Sequence, residues 1–152
     1  MSIDNRKLTA AEAFRTGLNC AQSVLTAYAE ELNLNSTSAL QIASGFGGGM
    51  GRLQQTCGAV TGSFMVIGII NSRDIHDDVI RGEQTPAMIQ KFNNEFLKRN
   101  SSTNCSELLN CDLKTNAGQE YFTNNNLGRK VCQKCISDSI EILESIKSSA
   151  KY

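Results

Sequence analysis

Residues 44–70, SGFGGGMGRLQQTCGAVTGSFMVIGII, join a glycine-dense turn to a long apolar run, and their reading decides the fold. Five glycines fall within residues 44–51. A right-handed helix would lose about 1 kcal/mol at each interior glycine relative to alanine, so a turn is expected there. Thr56 is the expected cap of the helix that follows. The apolar residues beyond it show no strand-like alternation and fall well short of the roughly 20 needed to cross a bilayer, so they read as a buried helix. Gly58, Gly62 and Ser63 leave one side of that helix thin and invite the backbone of a second helix.

Working outward, helical periodicity continues on both sides. Thr9 with Glu12 has the capping-box spacing, and Phe14, Leu18, Ala21, Val24, Leu25, Tyr28 and Leu32 recur on one face, so a first helix is expected over 10–32. Ser36 is expected to cap a short helix ending near Ile42. A short helix is expected over 75–80, and Thr85 with Pro86 then gives the start signal of another, faced by Met88, Ile89, Phe92, Phe96 and Leu97. Asn104 is set to cap CSELL, with Glu107 at the third helical position. A turn over 119–122 and a final helix in VCQKCISDSIEILESI (131–146) complete the reading. The expectation is an all-α fold: an irregular bundle of five to seven helices with a glycine-rich turn, in one domain over residues 1–152.

Fifteen Lys and Arg balance fifteen Asp and Glu over 152 residues, leaving no net field to draw in nucleic acid or anionic lipid. Tryptophan is absent and only three tyrosines occur, so no aromatic platform for single strands is expected either. The start, MSIDNRKLTAAEAF, has no apolar run leading to a small-residue cleavage site, and a cytoplasmic location without membrane insertion is expected. A chain of this length buries on the order of two-thirds of its unfolded surface without covalent staples.

The six cysteines are therefore not needed to make up for a missing core. They are Cys20, Cys57, Cys105, Cys111, Cys132 and Cys135, and in a reducing compartment such numbers point to thiol redox chemistry or metal ligation. Cys132 and Cys135 form a CxxC at the expected start of the last helix, on one face, where open amides and the helix dipole favour thiolate. Cys57 and Cys105 repeat that helix-start placement, although a small buried side chain beside Gly58 is the plainer reading of Cys57. Cys20, in the middle of the expected first helix, reads as core unless a thiol or cofactor approaches past Gly17 and Ala21. Cys111 follows the short helix, its partner open between Cys105 and the C-terminal pair. Glu107 reads as a cap partner, and His76, beside Asp74, Asp77 and Asp78, as a solvated surface histidine. The glycine turn lacks GKS or GKT and a preceding strand, so tight packing is its simpler role and anion binding the weaker one.

In combination, GLNCAQSV around Cys20, GFGGGMGRLQQTCGAVTG ending in Gly62, NCSELLNCDL around Cys105 and Cys111, and VCQKCISDSIEIL around Cys132 carry a resemblance. The chain resembles, over nearly its full length, the redox-active protein family named for a C, GCAxxG, C and C pattern. It departs from that pattern in reading TCGAVTG around Cys57. The resemblance implies a helical protein with redox or cofactor-binding function and four family cysteines at Cys20, Cys57, Cys105 and Cys132. Cys111 resembles a common accessory cysteine, and Cys135 stands at a position often filled by something else.

The leading expectation is a thiol-based redox or electron-transfer protein, in enzymatic form a thiol–disulfide oxidoreductase. Cys20, Cys57, Cys105, Cys132 and Cys135 would carry the chemistry, with a redox partner protein or a small disulfide as substrate. One alternative is an iron–sulfur cluster or zinc held by Cys57, Cys105, Cys111, Cys132 and Cys135, although the paired spacings of a zinc ribbon or ferredoxin are missing. Another is a structural or partner-binding helical module. Apolar helix faces would also suit a homodimer. Cys20, Cys57, Cys105 and Cys132 lining one cleft would favour either chemical reading over the structural one.

Overall fold

The structure is a computed structural model and describes residues 1–150. Among the described residues there are eight right-handed α-helices: α1 (Ile3–Arg15), α2 (Cys20–Tyr28), α3 (Ser36–Ala43), α4 (Gly58–Asp74), α5 (Asp78–Asn100), α6 (Cys105–Leu109), α7 (Asn116–Asn124) and α8 (Gln133–Ser149). No strand is present among them, only an isolated antiparallel bridge between Thr56 and Asn104. The all-α expectation holds, with one helix more than the upper count.

The expected 10–32 span breaks into two helices, the turn expected over 119–122 is the helix α7, and the helices expected over 75–80 and from Thr85 are one, α5. Ser2, not Thr9, caps the first helix, its hydroxyl accepting from the Asn5 amide at 3.2 Å. Gly17 then takes φ 107° and Asn19 is extended. The Asn19 side chain accepts from the Gln22 amide at 2.9 Å while the Gln22 side chain accepts from the Asn19 amide at 3.0 Å, a reciprocal capping box. Apolar periodicity passes over this break because α1 and α2 face the same core. Cys20 is consequently the first residue of α2 and not a mid-helix residue.

Other starts also differ from expectation. Asn35, one residue before Ser36, caps α3. α5 begins at Asp78, where the Asp77 carboxylate accepts from the Val79 and Ile80 amides, and Pro86 lies inside it. Pro86 has no amide to give Gly82, but Met88, Phe92 and Phe96 are buried and hold the helix in place. The last helix is preceded without a gap by a π-helical turn, Gly128–Cys132, so Cys132 and Cys135 are not at a helix start.

One buried cluster draws on α1, α2, α4, α5 and α8. Phe92 sits at its centre, edge-on to Phe64 (5.9 Å between centroids) and stacked on Phe96 (6.1 Å). α2 and α4 form the most extensive helix pair. A Cβ on Gly62 would lie 2.9 Å from the Ala21 carbonyl oxygen, and one on Gly58 would lie 3.0 Å from Cys20 Cβ. The thin side expected from Gly58 and Gly62 is therefore where α2 lies, backbone against backbone. Arg6, 3 % exposed, pins α1 from the other side: it pairs with Glu31 and Glu144, donates to the Ala27 carbonyl and lies over the Tyr28 ring at 4.2 Å. A buried cation is tolerated only when paired, and Arg6 is paired by charge although its Nε, 3.2 Å from Glu144, makes no hydrogen bond.

Two glycines of α4 should respond to the same substitution with opposite signs. Gly68 has nothing within 4 Å of its missing Cβ, so Gly68→Ala is expected to stabilise by about 0.5–1 kcal/mol through helix propensity. Gly62→Ala must displace the α2 backbone and is expected to destabilise by about 1–3 kcal/mol. Urea denaturation of both variants reads the difference, and equal shifts would contradict the α2–α4 contact.

Candidate thiol redox site

The site starts from the glycine turn. Gly48, Gly49, Met50, Gly51 and Arg52 all have φ between 61° and 68°. They form one turn of left-handed helix, closed by the Gly51 amide on the Gly47 carbonyl. Left-handed helix costs a non-glycine L residue about 1–2 kcal/mol, which is why glycines dominate here; Met50 and Arg52 carry that cost. A Cβ on Gly49 would lie 2.7 Å from Cys105 Cβ and from the Gln54 and Gln55 backbones, so the turn rests directly on α6.

The next residues tie the starts of α4 and α6 together. Beside the Thr56–Asn104 bridge, the Cys57 amide donates to the Thr103 carbonyl (2.8 Å) and the Cys105 amide to the Gln55 carbonyl (2.6 Å). Cys57, not Thr56, is the N-cap of α4. Asn104 caps α6 as expected, accepting from the Glu107 amide at 3.2 Å. Gln54 is buried beneath: it donates to the Cys111 carbonyl and accepts from the Leu113 amide, both at 2.8 Å.

Five of the six cysteines line one cavity of about 120 Å³: Cys20, Cys57, Cys105, Cys132 and Cys135. Phe14, Phe122 and Val131 are among its apolar walls. Within it the thiols that most affect one another's ionisation come from different parts of the fold and not from the CxxC pair: Cys57 with Cys135, and Cys20 with Cys132. All are free thiols. Cys111 is the exception, half-buried and outside the cavity lining. His76 is exposed, as expected.

The cavity separates its thiols electrostatically. Cys57 is pulled below the ordinary thiol range, first by the hydrogen bond from Cys135, then by the Ala59 and Val60 amides at the open end of α4, against the opposing effect of burial. Cys135 is pushed far up by the same shared hydrogen bond and by burial. Its sulfur also lies 3.9 Å from Asn100 Oδ1, which Lys134 Nζ holds at 2.9 Å. Cys20 is raised well above its ordinary value by hydrogen bonding to Cys132 and by burial. Cys105 is pushed up to about 12, chiefly by burial.

Cys105 thus departs from the helix-start expectation, and the reason is local. The amides at the start of α6 are already engaged: Cys105 and Ser106 donate to Gln55 and Gln54, and Glu107 to Asn104. Only the Gln54 side chain is left to favour a thiolate, and desolvation outweighs it. Among the described residues no three Cys, His, Asp or Glu side chains converge closely enough to hold a metal ion, so no ligand set emerges from the five cysteines named for zinc or a cluster. Asn19 and Gln54, which sequence reasoning passed over, frame the site: Asn19 caps α2, lines the cavity and donates to the Ala43 and Ser44 carbonyls at 3.2 Å. Polar residues beside a glycine run carry no hydropathy signal; only the Asn19–Gln22 capping pattern could have flagged one of them.

No described helix is long and apolar enough to cross a membrane. A family model described as "Putative redox-active protein (C_GCAxxG_C_C)" matches residues 18–146. No curated protein and no solved structure shows significant similarity.

Thiol-specific alkylation tests the electrostatics. As pH falls through the ordinary thiol range, Cys57 is expected to keep its reactivity with iodoacetamide, because a lowered pKa preserves thiolate there, whereas Cys105 stays unreactive until strongly alkaline pH. Cys135→Ala removes the donor, and its loss of about 1.5–3 kcal/mol of charge-assisted bonding should move the Cys57 profile up by about 1–2 pH units. Residue-resolved mass spectrometry against pH measures both; an unmoved profile in Cys135→Ala would break the pairing.

Proposed function

The chain belongs to the C_GCAxxG_C_C redox-active family, and from that premise we propose that it is a dithiol–disulfide exchange protein working through Cys57 and Cys135. The observation that carries this reading is the convergence of five thiols on one apolar-walled cavity, within which Cys57, at the start of α4, is lowered and Cys135 is raised. That is the division of labour a nucleophile and a resolving thiol need.

The proposed step balances as follows. Cys57 thiolate attacks one sulfur of a substrate disulfide, forming a mixed disulfide, and the electron pair of the broken bond leaves on the other substrate sulfur. Cys135 gives its proton to a departing thiolate and attacks Cys57 Sγ, releasing the second substrate thiolate. Two electrons pass from the protein dithiol to the substrate, and the protein is left with a Cys57–Cys135 disulfide. An external dithiol reverses the exchange and restores the reduced pair. Cys20 and Cys132 are a second dithiol in the same cavity, and Asn19 and Gln54 are positioning residues. A reducing cytoplasm, where exchange-active thiols rest reduced, is the compartment that suits this chemistry.

The rival is a soft-metal or iron–sulfur site, favoured by five cysteines around one cavity and disfavoured by the lack of a convergent trio. Anaerobic protein equilibrated in dithiothreitol redox buffers, trapped by alkylation and mapped by mass spectrometry, separates the two. Exchange predicts a Cys57–Cys135 disulfide forming cooperatively with poise, and Cys135→Ala stopping at a mixed disulfide on Cys57. Stoichiometric iron or zinc with all five thiols protected would favour ligation and reject the exchange reading.

A further inference from the structure

Beside the cysteine cavity, a larger groove of about 660 Å³ lies between the left-handed turn and α7, and Asn19, Gly48, Leu113 and Phe122 line both spaces, so the two adjoin. The cavity is small and apolar-walled, whereas Ser44, Gln119 and Thr123 line the groove with polar groups. Arg52 is the one charged residue of that lining, and no carboxylate shares it. Arg6, Arg15, Arg73, Arg81 and Arg99 each hold a carboxylate of this chain, while exposed Arg52 and Arg129 take none among the described residues, and of these two only Arg52 lines the groove.

Arg52 is also seated. A Cβ on Gly48 would lie 3.0 Å from Arg52 Cγ and 3.6 Å from its Cβ, so the arginine stem crosses bare backbone where groove and cavity meet. Its own φ of 61° is one that glycine would adopt without strain. A left-handed backbone thus carries an unpaired guanidinium at the mouth of a thiol site, and a planar fork of donors suits a carboxylate.

Resting on the exchange reading above, we propose that the groove takes the carboxylate-bearing arm of a low-molecular-mass disulfide, held by Arg52 while the disulfide reaches Cys57. The exchange is the balanced sequence already given: Cys57 forms the mixed disulfide, the first half leaves as thiolate, and Cys135 releases the arm held in the groove as the second thiol. Arg52 is a substrate-binding residue and takes no part in the electron transfer.

Three small disulfides of different charge test this: 3,3′-dithiodipropionate (two carboxylates), 2-hydroxyethyl disulfide (neutral) and cystamine (two ammoniums). Fully reduced wild type, Arg52→Glu and Arg52→Lys, with folding checked by circular dichroism, are mixed with each probe, and loss of the Cys57 thiol is followed by rapid alkylation. The variant-to-wild-type ratio for each probe cancels its intrinsic reactivity. Arg52→Glu is expected to slow dithiodipropionate by about threefold to tenfold, leave the neutral probe within about twofold and speed cystamine, while Arg52→Lys, which keeps the charge and loses the fork, falls between wild type and Arg52→Glu with dithiodipropionate. These differences should shrink near 1 M salt, where the screening length falls to about 3 Å. Equal ratios for all three probes would overturn the groove proposal and leave dithiol exchange standing. Faster exchange with a disulfide-bonded protein than with every small probe would overturn it in favour of a protein partner. If no disulfide of any charge consumes Cys57 in wild type, the exchange reading itself falls and this proposal with it.

Discussion

Two missing side chains on α4 set the geometry of this molecule. Gly58 and Gly62, one helical turn apart, let α2 lie on the backbone of α4, and Gly58 in particular brings Cys20 beside the end of α4 that Cys57 caps. No larger residue keeps both the packing and the sulfur separation, because the close neighbours of the missing Cβ atoms are backbone atoms of Ala21 and Phe46 as well as side chains. The core and the site share this constraint. The same contact that excludes water between two helices also decides which thiols can meet.

Within the site, the outcome at each sulfur follows from a competition between desolvation and donors. Cys57 and Cys105 are comparably buried, both stand at helix starts, and they are linked by one backbone bridge. Their chemistry still diverges, because the amides at the start of α4 point at Cys57 while those of α6 are spent on Gln54, Gln55 and Asn104. A helix N-terminus is thus not an activating feature in itself. At Cys57 the Ala59 amide has no backbone acceptor and the Cys135 thiol adds a second donor, whereas the first amides of α6 are all engaged.

This explains how far the sequence could be read. The helical class, the buried helix after residue 57 and its thin glycine face were legible, because burial and glycine placement act through local pattern. The break at Gly17–Asn19 was not, since the apolar periodicity runs unbroken across it, and with it went the position of Cys20. The start of α5 was misread because Pro86 is a strong local signal overridden by burial of Met88, Phe92 and Phe96. That cysteines converge could be expected from their placement on helices. Which thiol most affects which could not, because Cys57 and Cys135, like Cys20 and Cys132, come to one cavity only through the way the helices cross.

The left-handed turn has an entropic side as well. Glycine gives up more conformational freedom on ordering than any other residue, so residues 47–51 contribute little to their own order. Their shape is maintained from outside, by Cys105 beneath Gly49 and by the Gln54 and Gln55 amides that donate to Gly48 and Gly49 at 3.0 Å. Ordering the mouth of the cavity and docking α6 against α4 are therefore one cooperative event. The entrance to the thiols is only as rigid as the Thr56–Asn104 bridge that joins those two helix starts.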